Sequence, residues 1–399
     1  MKLVIAIIKP FKLDAVREAL TEIGQKIRSL GKAHGQRSLG VYGGASLGQN
    51  SLGALRTGAF ALGMGTPNLF TPLAMYGAPL LYAAELMLGY PAPLQSDVGR
   101  AHYTLLLGGE QEEQRWGPLQ GGTIHTQALR HIQRQRRGAK WVTVSPRTTA
   151  LGEASDQCVQ IRPNTETYFL LGMCHAILSG GWEDKQYLQD HCLHLDEARE
   201  WLEPWTPAVV SEICGIESDV LSGVTLKFSR AAMATVARSP SLTLHENGTV
   251  SAWAWHLLHA LTANLLRPGG AFEANPLLDL QPFYSTFPIG DAPSSSQRNY
   301  ASLLLQLPGT VLAEEIQGGE VRALVCVAGD PLEELPGRES LESALAGLDL
   351  LVSLDTQEGP TAHLADYVLP TTLPWERPDL QLLQQPLLPY RFMMATPKV

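Results

Sequence analysis

From Leu3 to Ile8 the chain is apolar at every position, a run of strand length with β-branched residues that Pro10 ends. Apolar residues on both faces mark a strand that is covered on both sides. Beyond it, Leu13, Val16, Leu20 and Ile23 keep helical spacing, and the pattern continues through Ile27 and Leu30. The spacing therefore predicts one long helix, with Gly24 too weak a breaker to end it. The same grammar recurs in "LGVYGG", "HYTLLLGGEQEEQ", "AKWVTVSPRTTALGEA", "VRALVCVAGDPLEEL" and "LDLLVSLDTQEGPTAHLADYVLP". Each is an apolar run of strand length, then a polar or Gly-rich turn, then in most cases a segment compatible with a helix. Repeated strand-loop-helix units predict an α/β fold of mostly parallel sheets covered by helices. "LGALRTGAFALGMG", "NTETYFLLGMCHAILSGG" and "SAWAWHLLHALTANLLRPGG" read as helices between these units. In the last, Trp253, Leu257, Leu261 and Leu265 fall four apart, and Pro268 with Gly269 supplies the stop.

A chain of 399 residues exceeds the size at which one core stops growing, so two or more domains are expected. Charged residues make up 17% of it, fewer than the roughly 25% of ordinary globular chains, which predicts faces buried against further domains or partners. The net charge of −9 argues against nucleic-acid binding, and "RHIQRQRRGAK", the one basic cluster, reads as a solvated helix end. Five isolated cysteines (Cys158, Cys174, Cys192, Cys214, Cys326) with no C-x-x-C fit neither zinc nor an iron–sulfur cluster. They read as reduced thiols, which points to the cytoplasm. No run reaches the roughly 18 to 20 apolar residues of a membrane span, so no direct membrane insertion is expected. His191 and His194 lie one turn apart beside Asp190 and Cys192, a spacing that fits a metal pair or, more simply, a helix surface; His256 and His259 read as core-edge residues.

Two resemblances follow from these motifs. Residues 1–24, "MKLVIAIIKPFKLDAVREALTEIG", resemble the first strand and helix of the PII nitrogen-regulatory family. From about residue 25 to 399 the chain resembles the molybdopterin oxidoreductases of the dimethyl-sulfoxide-reductase and formate-dehydrogenase type. "LGVYGG" with "GMGTPN", "HYTLLLGGEQEEQ", the stretch from "VTVSPRTTALGEA" to "CHAIL", "HALTANLLRPGGAFE" and the closing block through "YVLPTT" occur in that family's order. The second resemblance implies two interleaved α/β/α dinucleotide-binding-like domains: a discontinuous one over 25–72 and 245–374, and an inserted one over 73–244. Residues 1–24 would then be a PII-like strand-helix segment, and 375–399 the lead into a missing C-terminal domain.

The resemblance also implies a cofactor, molybdopterin guanine dinucleotide carrying molybdenum or tungsten, and assigns residues to it. The turns at Gly108, Gly109 and Glu110, and at Gly329, Asp330 and Pro331, would bring backbone N–H groups up to the diphosphate, as glycine turns after strands do. Ser145, Arg147 and Thr148 stand in "VSPRT", where the family has V-D-P-R-x-T, so Ser145 replaces an acid. Asp355, at the end of "LDLLVSLD", would accept from ribose hydroxyls or guanine; its alternative is a helix N-cap. Asp366, in "HLADYVLP", joins the set. Tyr76 falls at the metal-ligand position, where tyrosine is not usual and core packing is the plainer role. Glu110, Glu112 and Glu113 fall where the family often has Asn-Pro and would repel phosphate unless turned outward. No metal ligand and no catalytic residue is assigned.

The first function these features imply is an incomplete cofactor-binding module of an oxidoreductase, acting on a small redox substrate beside an iron–sulfur electron-transfer subunit. A scaffold that kept the fold without catalysis is the alternative. PII-type signalling rests on the first 24 residues alone.

Overall fold

The computed structural model describes residues 13–75, 77–92, 94–108, 138–273, 294–380, 382 and 395–397. Contacts divide the described residues into two compact units, one within 1–78, 280–385 and 392–399, the other within 79–279. The chain leaves the first unit, builds the second, and returns.

The first unit contains α1 (Leu13–His34), β1 (Leu39–Gly43), α2 (Ser51–Met64) and β2 (Leu69–Thr71), and then, after the return, β9 (Leu307–Pro308), α11 (Leu312–Gln317) and β10 (Ala323–Val327). It continues with α12 (Pro331–Glu334), α13 (Arg338–Ala346), β11 (Leu350–Asp355), α14 (Pro360–Leu364) and β12 (Tyr367–Pro370). Its six strands are parallel, in the order β12-β11-β10-β1-β2-β9. Central strands are buried on both sides, as uninterrupted apolar runs require: every residue of β1 is buried. The predicted long helix forms. α1 lays Ala19, Ile23 and Ile27 on Leu39, Val325 and Val352, and Tyr367 donates its hydroxyl to Glu22 Oε2 at 2.7 Å. Each such aliphatic side chain removed from water contributes about 1.5–3 kcal/mol. The described part of the PII-like segment is thus one end of a helix that belongs to this sheet; its strand lies outside the described residues. Asn50 caps α2 by accepting from Gly53 N–H at 2.9 Å, and Gly65, at φ +69°, ends it.

The second unit holds α3 (Ala78–Leu88), β3 (Gln95–Ser96), β4 (Tyr103–Leu107), β5 (Lys140–Ser145), α4 (Ala150–Ala154) and β6 (Gln157–Gln160). There follow α5 (Glu166–Gly180), α6 (Lys185–His191), α7 (Leu195–Leu202), α8 (Pro207–Cys214), α9 (Ser218–Arg230), β7 (Ala234–Arg238), α10 (Gly248–Leu261) and β8 (Ala271–Phe272). Its main sheet is parallel, β6-β5-β4-β7, and β3 pairs with β8 antiparallel. One face of the sheet packs Leu105, Val144 and Val236 on Phe169, Ile177 and Phe228.

The boundaries differ from those expected. α10 was expected in the first domain, yet it packs along α5, where Cys174 Sγ donates to Ala254 O, and Trp255 Nε1 donates to Val236 O of β7. Its buried face is apolar, and the sequence does not say which sheet receives it. Of 375–399, β13 (Asp379–Leu380) pairs antiparallel with β14 (Ala395–Thr396), and Leu382 N–H donates to Ser51 Oγ in the first unit. His256 and His259 lie in the core itself rather than at its edge. No described helix is long and apolar enough to cross a membrane.

Candidate cofactor-binding edges

In each parallel sheet the strand order reverses once, and the reversal opens a crevice at the carboxyl ends of the strands, where such folds bind ligands. In the first unit the chain passes from β1 to β2 on one side, and later returns to β10 on the other side of β1. The turns after β1 and β10 meet there. A Cβ on Gly44 would lie 2.2 Å from Gly329 Cα, and one on Gly329 would lie 2.3 Å from Gly44 Cα, so only glycine allows the backbones this close.

Carboxylates surround that meeting point. Glu334 of α12 accepts from the Tyr42 hydroxyl at 2.6 Å and from Ala45 N–H at 3.3 Å. Burial pushes its carboxyl above the usual range against the pull of those two donors, and the charges of Asp355 and Asp330 push the same way. Asp330 caps α12 by accepting from Leu332 N–H at 3.0 Å, and it also accepts from Thr361 N–H at 3.0 Å and from the Thr361 hydroxyl. It therefore ties α12 to α14. Pro331 opens α12 as its first residue. Asp355 ends β11, and among the described residues its carboxylate accepts only from its neighbour Thr356, through N–H at 2.6 Å and Oγ1 at 3.2 Å. The N-cap of α14 is Gly359, so Asp355 does not cap that helix.

Asp366 does not belong to this edge. It precedes β12 and accepts from Leu351 N–H at 3.0 Å, at the amino end of β11, so it pins the strand pair on the far side of the sheet from the turns. Sequence adjacency to a strand does not tell which end of it a residue occupies.

In the second unit the chain runs from β4 to β5 and β6, and β7 then joins the other side of β4. Gly108 ends β4 at φ +91°, and a Cβ there would lie 2.1 Å from Ser239 Oγ. Ser239 N–H donates to Leu107 O at 3.0 Å, and the Ser239 and Ser241 hydroxyls are 2.5 Å apart. Gly108→Ala is expected to cost about 2 kcal/mol through the left-handed backbone and this crowding, read as a lower urea midpoint. Ser145 is buried at the end of β5, its Oγ accepting from Arg147 N–H at 3.4 Å; Arg147 and Thr148 are exposed beside it, with Thr148 Oγ1 accepting from Gln160 Nε2 at 3.1 Å. Gly109, Glu110 and Tyr76 lie outside the described residues.

Sequence reasoning missed Arg238, Ser239 and Ser241, because "ATVAR" is a short strand with no glycine after it, although "SPS" is a turn signal. It missed Glu334 because an acid in the first turn after Asp-Pro reads as ordinary helix charge. Arg238 is fully buried: its guanidinium lies 4.8 Å from the Trp255 ring and donates to Leu94 O, while Nε and Nη1 have no partner among the described residues. Burial pushes it down to about 10, so it stays charged near neutral pH.

The two edges thus differ in chemistry. The first offers acceptors, which suit the N–H and O–H donors of a purine edge or ribose and repel phosphate. The second offers a glycine turn, hydroxyls and Arg147, which suit a phosphate-bearing group. An open hollow of about 520 Å³ lies elsewhere, beside β6 and between Arg162, Ser211 and Glu217. Among the described residues no three His, Cys, Asp or Glu side chains converge as metal ligands, so His191, His194 and Cys192 form no such cluster.

The family model of molybdopterin oxidoreductases matches residues 17–382. The chain belongs to the molybdopterin oxidoreductase family. The match begins inside α1, earlier than the expected residue 25. The chain is 25% identical over 299 residues to a formate dehydrogenase alpha subunit of Methanocaldococcus jannaschii, covering 71% of this chain and 42% of that protein. It is 23% identical over 398 residues to acetylene hydratase of Syntrophotalea acetylenica, covering 91% and 53%. To a molybdopterin-containing subunit of thiosulfate reductase of Salmonella typhimurium it is 23% identical over 406 residues, covering 94% and 51%. The chain spans about half the length of these family members. In fold it is similar to solved acetylene hydratase from Pelobacter acetylenicus, with a TM-score of 0.77, 22% identity, and 91% and 53% of the two chains covered. A chain of a formyltransferase/hydrolase complex from Methylorubrum extorquens gives a TM-score of 0.50 at 15% identity, with 94% and 90% covered.

Proposed function

We propose that this molybdopterin oxidoreductase chain is a module that binds molybdopterin guanine dinucleotide, each of its two units offering a site of its own at the carboxyl edge of its parallel sheet. The observation that carries the reading is the pair of strand-order reversals, each lined by a turn that only glycine fits. When bound, the group supplies two-electron chemistry at molybdenum or tungsten. The chain's own residues bind and orient it. At the edge of the second unit Gly108 keeps the β4 turn open to a diphosphate, and Ser239, Ser241 and Arg147 donate to its oxygens; at the edge of the first unit, taken by itself, Asp355 accepts from a guanine edge or ribose hydroxyls. Gly44 and Gly329 bring the turns after β1 and β10 together beneath that site. A small redox substrate and an iron–sulfur electron-transfer subunit are the partners of this reading, and the five free thiols favour the cytoplasm.

A scaffold without turnover is the second reading. Two observations favour it: Ser145 replaces the family's acid, and Asp330 is committed to tying two helices together.

Purification of the full chain, iodine oxidation of its pterin to a fluorescent product, release of GMP by acid, and metal analysis by plasma mass spectrometry separate the two. The module reading expects pterin, GMP and one metal in fixed proportion to protein. A folded chain free of all three would leave the scaffold reading standing.

A further inference from the structure

On the helical layer of the second unit, far along the chain from the turns described above, α5, α7 and α10 bring aromatic rings together. Trp201 stands edge-on to Trp253 at 5.1 Å and 6.4 Å from Trp205, which in turn lies 5.3 Å from Tyr168. Trp253, Trp205 and Tyr168 are half-buried, whereas Trp201 is 47% exposed. An indole propped upright by other indoles and left in water is a rigid apolar anchor, of the type that dominates binding energy at protein interfaces.

Along residues 186–226, which carry Trp201 and Trp205, acids outnumber cations. Between Lys185 and Lys227 the only Lys or Arg is Arg199, and its guanidinium is held 2.9 Å from Glu183, whose side chain is buried. Asp196, Glu197, Glu200 and Glu203 are exposed on or just beyond α7. Hydrogen bonding from His194 holds the Glu197 carboxyl below its usual value, so that it stays ionised. The cation of this segment is thus already matched, while among the described residues no ion pair is made by Asp196, Glu200 or Glu203.

We propose that the Trp201 cluster is a docking surface for a basic segment of a partner protein, whose Lys or Arg side chains stack on the exposed indole while neighbouring ones meet the α7 carboxylates. The aromatic anchor and the exposed acids are independent features of one helix, α7, and a basic segment satisfies both. The inference stands apart from the cofactor reading, since none of these residues lines either sheet edge.

The test uses the full chain and two fluorescein-labelled, helix-forming synthetic peptides with the same leucine stripe, one with Lys and Arg on its polar face and the other with Glu. Fluorescence anisotropy is expected to show binding of the basic peptide alone, weakening as salt rises. Trp201→Ser should weaken it at least about tenfold. The pair Glu200→Lys and Glu203→Lys should weaken it about as much and flatten the salt dependence. Circular dichroism melts monitor folding, and the charge pair, on exposed positions, carries the test alone if Trp201→Ser unfolds. Equal binding of both peptides, no binding of either, or an affinity indifferent to the folded variants overturns the proposal. So does a concentration-dependent dimer in sedimentation that Trp201→Ser abolishes, which would assign the surface to a second copy of this chain.

Discussion

Asp330→Ala is expected to lower the stability of the first unit by about 3 kcal/mol, whereas Asp355→Asn should leave stability within about 0.5 kcal/mol of the parent. The Asp330 carboxylate accepts from Leu332 N–H, Thr361 N–H and the Thr361 hydroxyl. Hydrogen bonds to a charged acceptor contribute about 1.5–3 kcal/mol each, and water entering the gap recovers part of the loss. Both helices it joins open with proline, Pro331 and Pro360, and α14 has no side-chain cap of its own; beside Asp330, the Leu332 N–H has only a long bond to Thr361 Oγ1 at 3.4 Å. Asp330→Asn keeps one acceptor and turns an amide donor towards donors, so about 2 kcal/mol should still be lost.

Ligand binding should divide the two positions the other way. Among the described residues the Asp355 carboxylate bonds only to Thr356, and its removal leaves no described buried donor unpaired. Under the proposed function, Asp355→Asn should weaken GDP binding, read by calorimetry, about ten- to a hundredfold. Urea unfolding and GDP titration of the two variants give four numbers. Equal stability losses, or GDP affinity unmoved in Asp355→Asn, would defeat the division of roles.

What the sequence made legible is tied to how local each signal is. The strands β1, β4, β5, β10 and β11 were readable because burial on both faces forces an unbroken apolar run, and glycine or a polar turn marks its end. β7 was not, because a five-residue run ending in arginine becomes recognisable only when β4 pairs with it residue for residue, from Tyr103 with Ala234 to Leu107 with Arg238. α10 was readable as a helix and not as a member of the second unit, since an apolar face specifies burial and not its partner. The same limit separates Asp355 from Asp366. Both lie beside strands, but only the direction of pairing shows that one stands at the carboxyl edge and the other at the amino end. Asp330 lies in the turn after β10, as its place in the sequence implies, while its bonds to Thr361, 31 residues on, could not be read from local pattern.

Acidification from pH 7 to pH 5 is expected to remove about 4 kcal/mol of stability from the second unit through two buried imidazoles. His259 accepts from Val236 N–H at its Nε2, 3.1 Å away, and donates from Nδ1 to Trp255 O at 2.7 Å. Only the neutral ring with its proton on Nδ1 satisfies both; a second proton would face the Val236 N–H. His256 donates from Nδ1 to Ala252 O at 2.7 Å and lies edge-on to Trp255. Burial, reinforced by the charge of Arg238, pushes His256 down to about 4 and His259 to about 3, from an ordinary 6.5. Below 6.5 the unfolded chain therefore binds protons that the folded chain refuses, and stability falls with pH until those lower values are reached; above 6.5 the contribution is complete and constant. Glu166 in the same unit acts with the opposite sign, because burial raises its carboxyl and lets the folded chain take a proton first. Urea midpoints at the two pH values measure the sum. His256→Leu, which removes one titrating ring and keeps an apolar side chain against Trp255, should halve the fall, and a stability unchanged between pH 7 and pH 5 in the parent would mean that solvent reaches these rings and that the packing of α10 on β7 is not as described.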